Sequence, residues 1–195
     1  MTQSKGVSLV ELLVVLGLVA LLAGIASPQL GKTADRAHLA AAGARLLTDT
    51  QRCQSLAAQR LAKVGLLFDL DERGRFYVVV ADGNGNGVSR RDYLAGRDRI
   101  VAGPVYFRDF GARVRLGVSQ EMGVPQPGGE GLVPESGLQV GGAGILSFSP
   151  GLGATAGSVY LSSGRQVLAL RVTSMGVVRL FHYNEARRVW EPARF

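Results

Sequence analysis

Glu11 is the one charge in an otherwise apolar run from Val7 to Ala26. A run of about twenty apolar residues crosses the ~30 Å hydrocarbon core of a bilayer as a helix. A carboxylate inside such a run costs about 2.5–3.5 kcal/mol on insertion scales, so acids placed there pair with something and mark function. Lys5 and Gly6 stand immediately before the run. The lysine retains that end of the segment in the cytoplasm. Two ordinary accounts compete. A secretory signal peptide could be cut near Gly24-Ile25-Ala26, but its apolar core is normally about 7–15 residues long. A plain membrane anchor leaves Glu11 unexplained.

Two further groups could carry chemistry. Asp82-Gly83-Asn84-Gly85-Asn86-Gly87 sets side-chain oxygens at alternate positions with glycine between them. That is the first half of a Ca²⁺ loop, with Asp82, Asn84 and Asn86 as ligands. Tyr93 stands where a bidentate Glu is expected, so Asp92 could complete the set only in a different geometry. A Gly/Asn-rich turn is the competing and better account, because the ligand set is incomplete. No other cofactor is expected. The second group is basic: Arg165, Arg171, Arg179, Arg187, Arg188 and Arg194, which with Glu185 and Glu191 leave a surplus of four positive charges. Arginine contacts to phosphate give salt-sensitive, sequence-independent affinity for DNA. Phe181, Tyr183, Trp190 and Phe195 interleave with them, as stacking on a single strand allows. Strand alternation by itself also turns arginines outward and aromatics inward, and it is the simpler account.

Nothing else reads as catalytic. His38 and His182 lack a neighbouring nucleophile or a metal-ligand spacing. Cys53 is the one cysteine, so no disulfide forms within the chain, and it reads as a small buried residue. The chain is therefore not expected to be an enzyme. The net charge of +7 suits either an anionic partner or simple solubility.

The elements that position these groups follow from periodicity. Pro28 should break or bend the N-terminal helix. After it, Leu39, Gly43, Leu46, Thr50, Cys53 and Ala57 recur at spacings of three and four, which marks one packed helical face. Arg45, Asp49, Arg52, Gln59 and Lys63 fall on a polar face. Helix is thus expected from Val7 to about Ala62, kinked near Pro28. Val64 to Phe68 and Phe76 to Val80, joined by Asp71-Glu72-Arg73-Gly74, read as a hairpin. Further strands are expected at Val114–Val118, Ile145–Phe148, Val159–Leu161, Val167–Val172 and Val177–Tyr183. Between Gln120 and Gly144 a Gly/Pro-rich stretch reads as a mobile surface excursion.

The segment Lys5-Gly6-Val7-Ser8-Leu9-Val10-Glu11-Leu12-Leu13 resembles the type IV prepilin processing motif. The resemblance implies cleavage by a prepilin peptidase between Gly6 and Val7, and methylation of the new amino group on Val7. The usual first mature residue is Phe; here it is Val7. Glu11 would pair with the α-amino group of a neighbouring subunit, and Pro28 falls where family members carry a helix-kinking proline. The implied architecture is α+β and pilin-like, a long kinked N-terminal helix packed on an antiparallel sheet domain. It comprises a leader at 1–6, a membrane or filament-core half-helix at 7–27, a second half-helix at 28–62 packed on the sheet, and a β-rich domain at 63–195 with the Gly/Pro-rich loop at 120–144. Ile145-Leu-Ser-Phe148-Ser-Pro150-Gly151, Gly157-Ser-Val159-Tyr160-Leu161 and Val177-Val-Arg179-Leu180 resemble the H-type pseudopilin of type II secretion and the FimT-like minor pilins. In those families Asp-Gly-Asn-Gly loops also follow the second strand. The implied partners are the prepilin peptidase, other pilins or pseudopilins in a filament, the inner membrane and, for a FimT-like protein, DNA bound during uptake. The implied location is a single pass through the bacterial inner membrane, N-terminus cytoplasmic and globular domain periplasmic, followed by assembly into a pilus or pseudopilus.

Overall fold

Leu39, Gly43, Leu46, Thr50, Cys53 and Ala57 are all buried, on the face that the N-terminal helix turns to the strands. The computed structural model describes residues 8–129, 131–151 and 153–193, and the side chains of 22–30 and 32 lie outside it. The chain divides into two units, Met1–Ala34 and Asp35–Phe195. Helix α1, Leu9–Arg60, supplies backbone to both. Its backbone is helical through Pro28, so the proline does not end the helix. The kink expected there falls among side chains outside the described residues, as Gly6 and Val7 also do.

The second unit is built on two antiparallel sheets. Strands β1 (Val64–Asp71) and β2 (Gly74–Ala81) form the expected hairpin. A short helix α2 (Arg90–Leu94) follows, then β3 (Arg99–Tyr106), β4 (Val114–Leu116), β5 (Leu138–Val140) and β6 (Ile145–Phe148). The chain closes with β7 (Gly157–Ser163), β8 (Gln166–Val172), β9 (Val178–Asn184) and β10 (Val189–Pro192). One sheet has the order β3-β2-β1-β6; the other has the order β10-β9-β8-β7-β4, with β5 also paired to β7. The main core lies where the α1 stripe meets both. Leu39, Ala42, Leu46, Cys53 and Ala57 pack with Leu66, Phe68, Tyr77 and Val79 of the first sheet and with Leu161, Leu168, Leu170 and Leu180 of the second. Each such side chain contributes about 1.5–3 kcal/mol on full burial. The fold is α+β, a helix packed on antiparallel sheets, as expected.

Three expectations change. Asp49 does not lie on a polar face. It is 3% exposed, accepts the Tyr77 hydroxyl at 2.8 Å and is paired with Arg45 at 2.7 Å. A buried carboxylate is tolerable when it is bonded and neutralised in this way. Secondly, α2, β3, β5 and β10 were not anticipated. Strand β3 carries Gly103-Pro104 and is exposed along much of its length, so no apolar alternation announces it.

The third change concerns Gln120–Gly144: the stretch lies on the surface, as expected, but its described residues include buried side chains that anchor it as a cover. Val124 and Val133, with Val118 just before the stretch, are buried against Tyr160, Val167 and Ala169, and Tyr183 and Trp190 pack beside them. Trp190 Nε1 donates to the Pro125 carbonyl at 2.8 Å. The physical reason is the second sheet: one face meets α1, the other carries Tyr160, Val167 and Ala169, and that apolar surface needs cover. The valines doing this are separated by glycine and proline, so they show neither a helical nor a strand period. Two glycines let the cover seat closely. A Cβ on Gly117 (φ +104°) would lie 2.1 Å from the Glu135 carbonyl oxygen, and one on Gly137 (φ +73°) would lie 2.3 Å from the Gly117 nitrogen.

Candidate functional sites

At the start of α1, Ser8 caps the helix and Glu11 reaches back to it. Ser8 Oγ accepts the Val10 N–H at 3.3 Å, and the Glu11 carboxylate accepts the Ser8 N–H at 3.4 Å. Glu11 makes its half of a capping box, while the Ser8 hydroxyl takes the second helical N–H instead of the third, and the acid sits at the positive end of the helix dipole. The Ser-x-x-Glu spacing was legible in the sequence and had gone unread. Beyond it the helix exposes an apolar surface from Leu9 (75% exposed) to Leu21 (62%). Among the described residues no helix is long and apolar enough to cross a membrane; the described side chains of the run stop at Leu21.

The Asp82 loop is a closed hydrogen-bond system. Asp82 Oδ1 accepts the N–H groups of Asn84 (3.1 Å) and Gly85 (2.8 Å), and Oδ2 accepts that of Gly87 at 2.7 Å. Asn84 Oδ1 accepts the Asn86 N–H at 3.2 Å. Asn86 Nδ2 donates to Asp92 Oδ2 at 3.0 Å. Asp92 is buried within α2. Hydrogen bonds from Ser89 and Asn86, helped by Arg97, hold its carboxyl down at about 2. Arg97 Nε donates to it at 2.6 Å, so a guanidinium already neutralises the acid that would have met a calcium charge. Asp98, which sequence reading did not single out, accepts Gly83 N–H at 3.2 Å and Ser89 N–H at 3.0 Å, tying the loop to the approach of β3. Among the described residues no group of three or more His, Cys, Asp or Glu side chains is arranged to hold a metal ion. The residues present do not fit Ca²⁺ in this arrangement and do fit a turn.

Among the described residues the arginines differ in their partners. Arg165 is ion-paired with Glu185, Nε to Oε1 at 2.9 Å. Arg187 lies 3.6 Å from Glu191, which also stands 3.4 Å from His182 Nε2. Arg188 is exposed before β10 with φ 55°. Arg194 lies outside the described residues, as does Phe195. The aromatic residues are structural: Tyr183 and Trp190 rings meet at 5.3 Å beside the cover, and Phe181 is half-buried. Arg171 and Arg179 differ from the rest. They stand directly opposite each other on β8 and β9, both exposed. Arg171 Nη1 donates to the Pro127 carbonyl at 2.8 Å. Between them and the cover runs a groove of about 870 Å³, lined also by Gln126, Gln139, Ser158 and Tyr160. The pairing register that makes this juxtaposition is not visible in the sequence.

Residues 1–27 match the family model described as Prokaryotic N-terminal methylation motif. No curated protein and no solved structure matches the chain. The matched segment contains Gly6, Val7 and Glu11, and the match supports a type IV prepilin-like class, a precursor processed by prepilin peptidase.

Proposed function

We propose that this chain is a minor pilin or pseudopilin, a non-enzymatic structural subunit of a type II secretion pseudopilus or a type IV pilus. In this reading it passes once through the bacterial inner membrane, is cut after Gly6 and methylated on Val7. It then enters the filament near the tip. The observation that carries the reading is the coincidence of three things: the methylation motif at 1–27, Glu11 inside it, and the exposed apolar helix surface that follows. Such a surface has to be covered, by lipid before assembly and by neighbouring helices after it. A second subunit's α-amino group at Val7 relieves the cost of holding the Glu11 charge in that setting. DNA capture through the C-terminal arginines is the weaker alternative, because Glu185 and Glu191 neutralise two of them.

The bond from Ser8 N–H to the Glu11 carboxylate sharpens the test. Glu11→Gln retains a side-chain oxygen for Ser8 N–H but removes the charge; Glu11→Leu removes both. Both variants are expected to insert into the membrane at least as well as the parent and to fail to enter filaments. Normal incorporation of Glu11→Gln would show that the carboxylate serves the helix end alone.

A further inference from the structure

The groove between the cover and the second sheet holds a charge arrangement that stability does not explain. Arg171 and Arg179 are opposed across β8 and β9, and like charges in that position are destabilising. Among the described residues neither has an ion-pair partner, whereas Arg165 and Arg187 do. Arg171 is held in place by the Pro127 carbonyl, and both arginines line the groove. Two guanidiniums at opposed strand positions on one groove suit a single oxyanion, since each presents a planar fork of donors. Beside the arginines the lining carries the neutral polar side chains Gln126, Gln139, Ser158 and Ser174 and the apolar side chains Ala156, Val172 and Phe181. Met175 at 78% exposure and Val177 at 47% give an apolar edge.

We propose that this groove receives an acidic peptide segment of a partner protein, with Arg171 and Arg179 closing on one of its carboxylates. Gln126 and Gln139 are bonded to each other, to the Leu132 carbonyl and to the Tyr160 hydroxyl, so the arginines supply the recognition, and the apolar edge suits a flanking side chain. Nucleic acid fits less well. A single strand calls for exposed aromatic faces, and Tyr160 is fully buried while Phe181 is half-buried. Two phosphate contacts on duplex give a log–log salt slope of only about −1.8. The proposal involves neither Glu11 nor the motif, so it can fail while the assembly reading stands.

The test uses the full chain in non-ionic detergent at low salt, with a short fluorescein-labelled peptide of alternating glutamate and serine read by anisotropy. Arg171→Gln/Arg179→Gln should weaken binding about tenfold or more, as expected on losing charge-assisted hydrogen bonds. It should keep its fold, because it relieves a like-charge contact. Arg91→Gln/Arg99→Gln removes the same charge from exposed positions outside the groove and should change binding by less than about twofold. A labelled oligonucleotide serves as the second probe. Equal loss in both double variants, or no peptide binding by the parent, would overturn the proposal. Binding of the oligonucleotide in preference to the peptide, lost with Arg171 and Arg179, would replace it with a nucleic-acid site.

Discussion

Gly43→Ala probes how closely α1 seats on the second sheet. A Cβ at this position would lie 2.7 Å from Leu168 Cδ1 and 3.3 Å from Leu180 Cδ2. Ordinary carbon contacts sit at about 3.5–4.0 Å, so Leu168 must retreat by roughly 1 Å. Two terms oppose each other. Alanine improves helix propensity by about 1 kcal/mol, while overpacking a filled core costs about 1–3 kcal/mol. Steric strain wins by about 1 kcal/mol, because Leu168 itself is buried among Leu39, Leu46 and Leu180. Leu168→Ala alone should cost about 2–5 kcal/mol through the cavity it leaves. In that background the closer obstacle is gone and Leu180 Cδ2 at 3.3 Å has room to give, so Gly43→Ala should become stabilising by about 1 kcal/mol. The coupling between the two sites is then about 2 kcal/mol, in the range seen for residues in contact. Urea unfolding of the full chain in micelles, followed through Trp190, the one tryptophan, reads all four corners of the cycle. A stabilising effect of Gly43→Ala in the parent, with no coupling to position 168, would refute the helix placement.

Two predictions address the loops. Val133, 2% exposed, should cost about 2 kcal/mol when replaced by alanine, from about 0.8 kcal/mol for each buried carbon removed plus a cavity term; the Trp190 emission should move to the red as the cover loosens, and the parent should resist proteolysis between 120 and 144, where rapid native cleavage would restore the mobile reading. The Asp92 carboxyl at about 2 in the folded chain lies below its unfolded value of about 3.9, so its stabilisation is fully present above pH ~4 and is lost as the pH falls towards 2; Asp92→Asn should flatten that acid limb of the stability profile, and an unchanged limb would mean that the carboxylate is not engaged.

What could be read in advance was whatever a period or a motif announces. The α1 stripe from Leu39 to Ala57 was legible because six positions at helical spacing all face the core. The β1–β2 hairpin was legible because its strands are β-branched and aromatic and are joined by a Gly-containing turn. The cover was not legible: its buried valines answer to a sheet face whose register they do not encode. Asp49 was misplaced because helical spacing alone cannot see Tyr77 arriving from β2. At the candidate sites, Glu11 and Gly6 stand out by type and position within the apolar run. Arg171 and Arg179 become a pair only through the β8–β9 register, and Arg97 and Asp98 matter to the Asp82 loop only through its closure.

The central claim is tested most directly by mass spectrometry of the mature N-terminus of the protein recovered from membranes. The account predicts a chain that begins at Val7 with a methylated α-amino group, and a Gly6→Ala variant that stays full length. A mature chain beginning at Ser27 would establish signal-peptide cleavage instead and contradict the account.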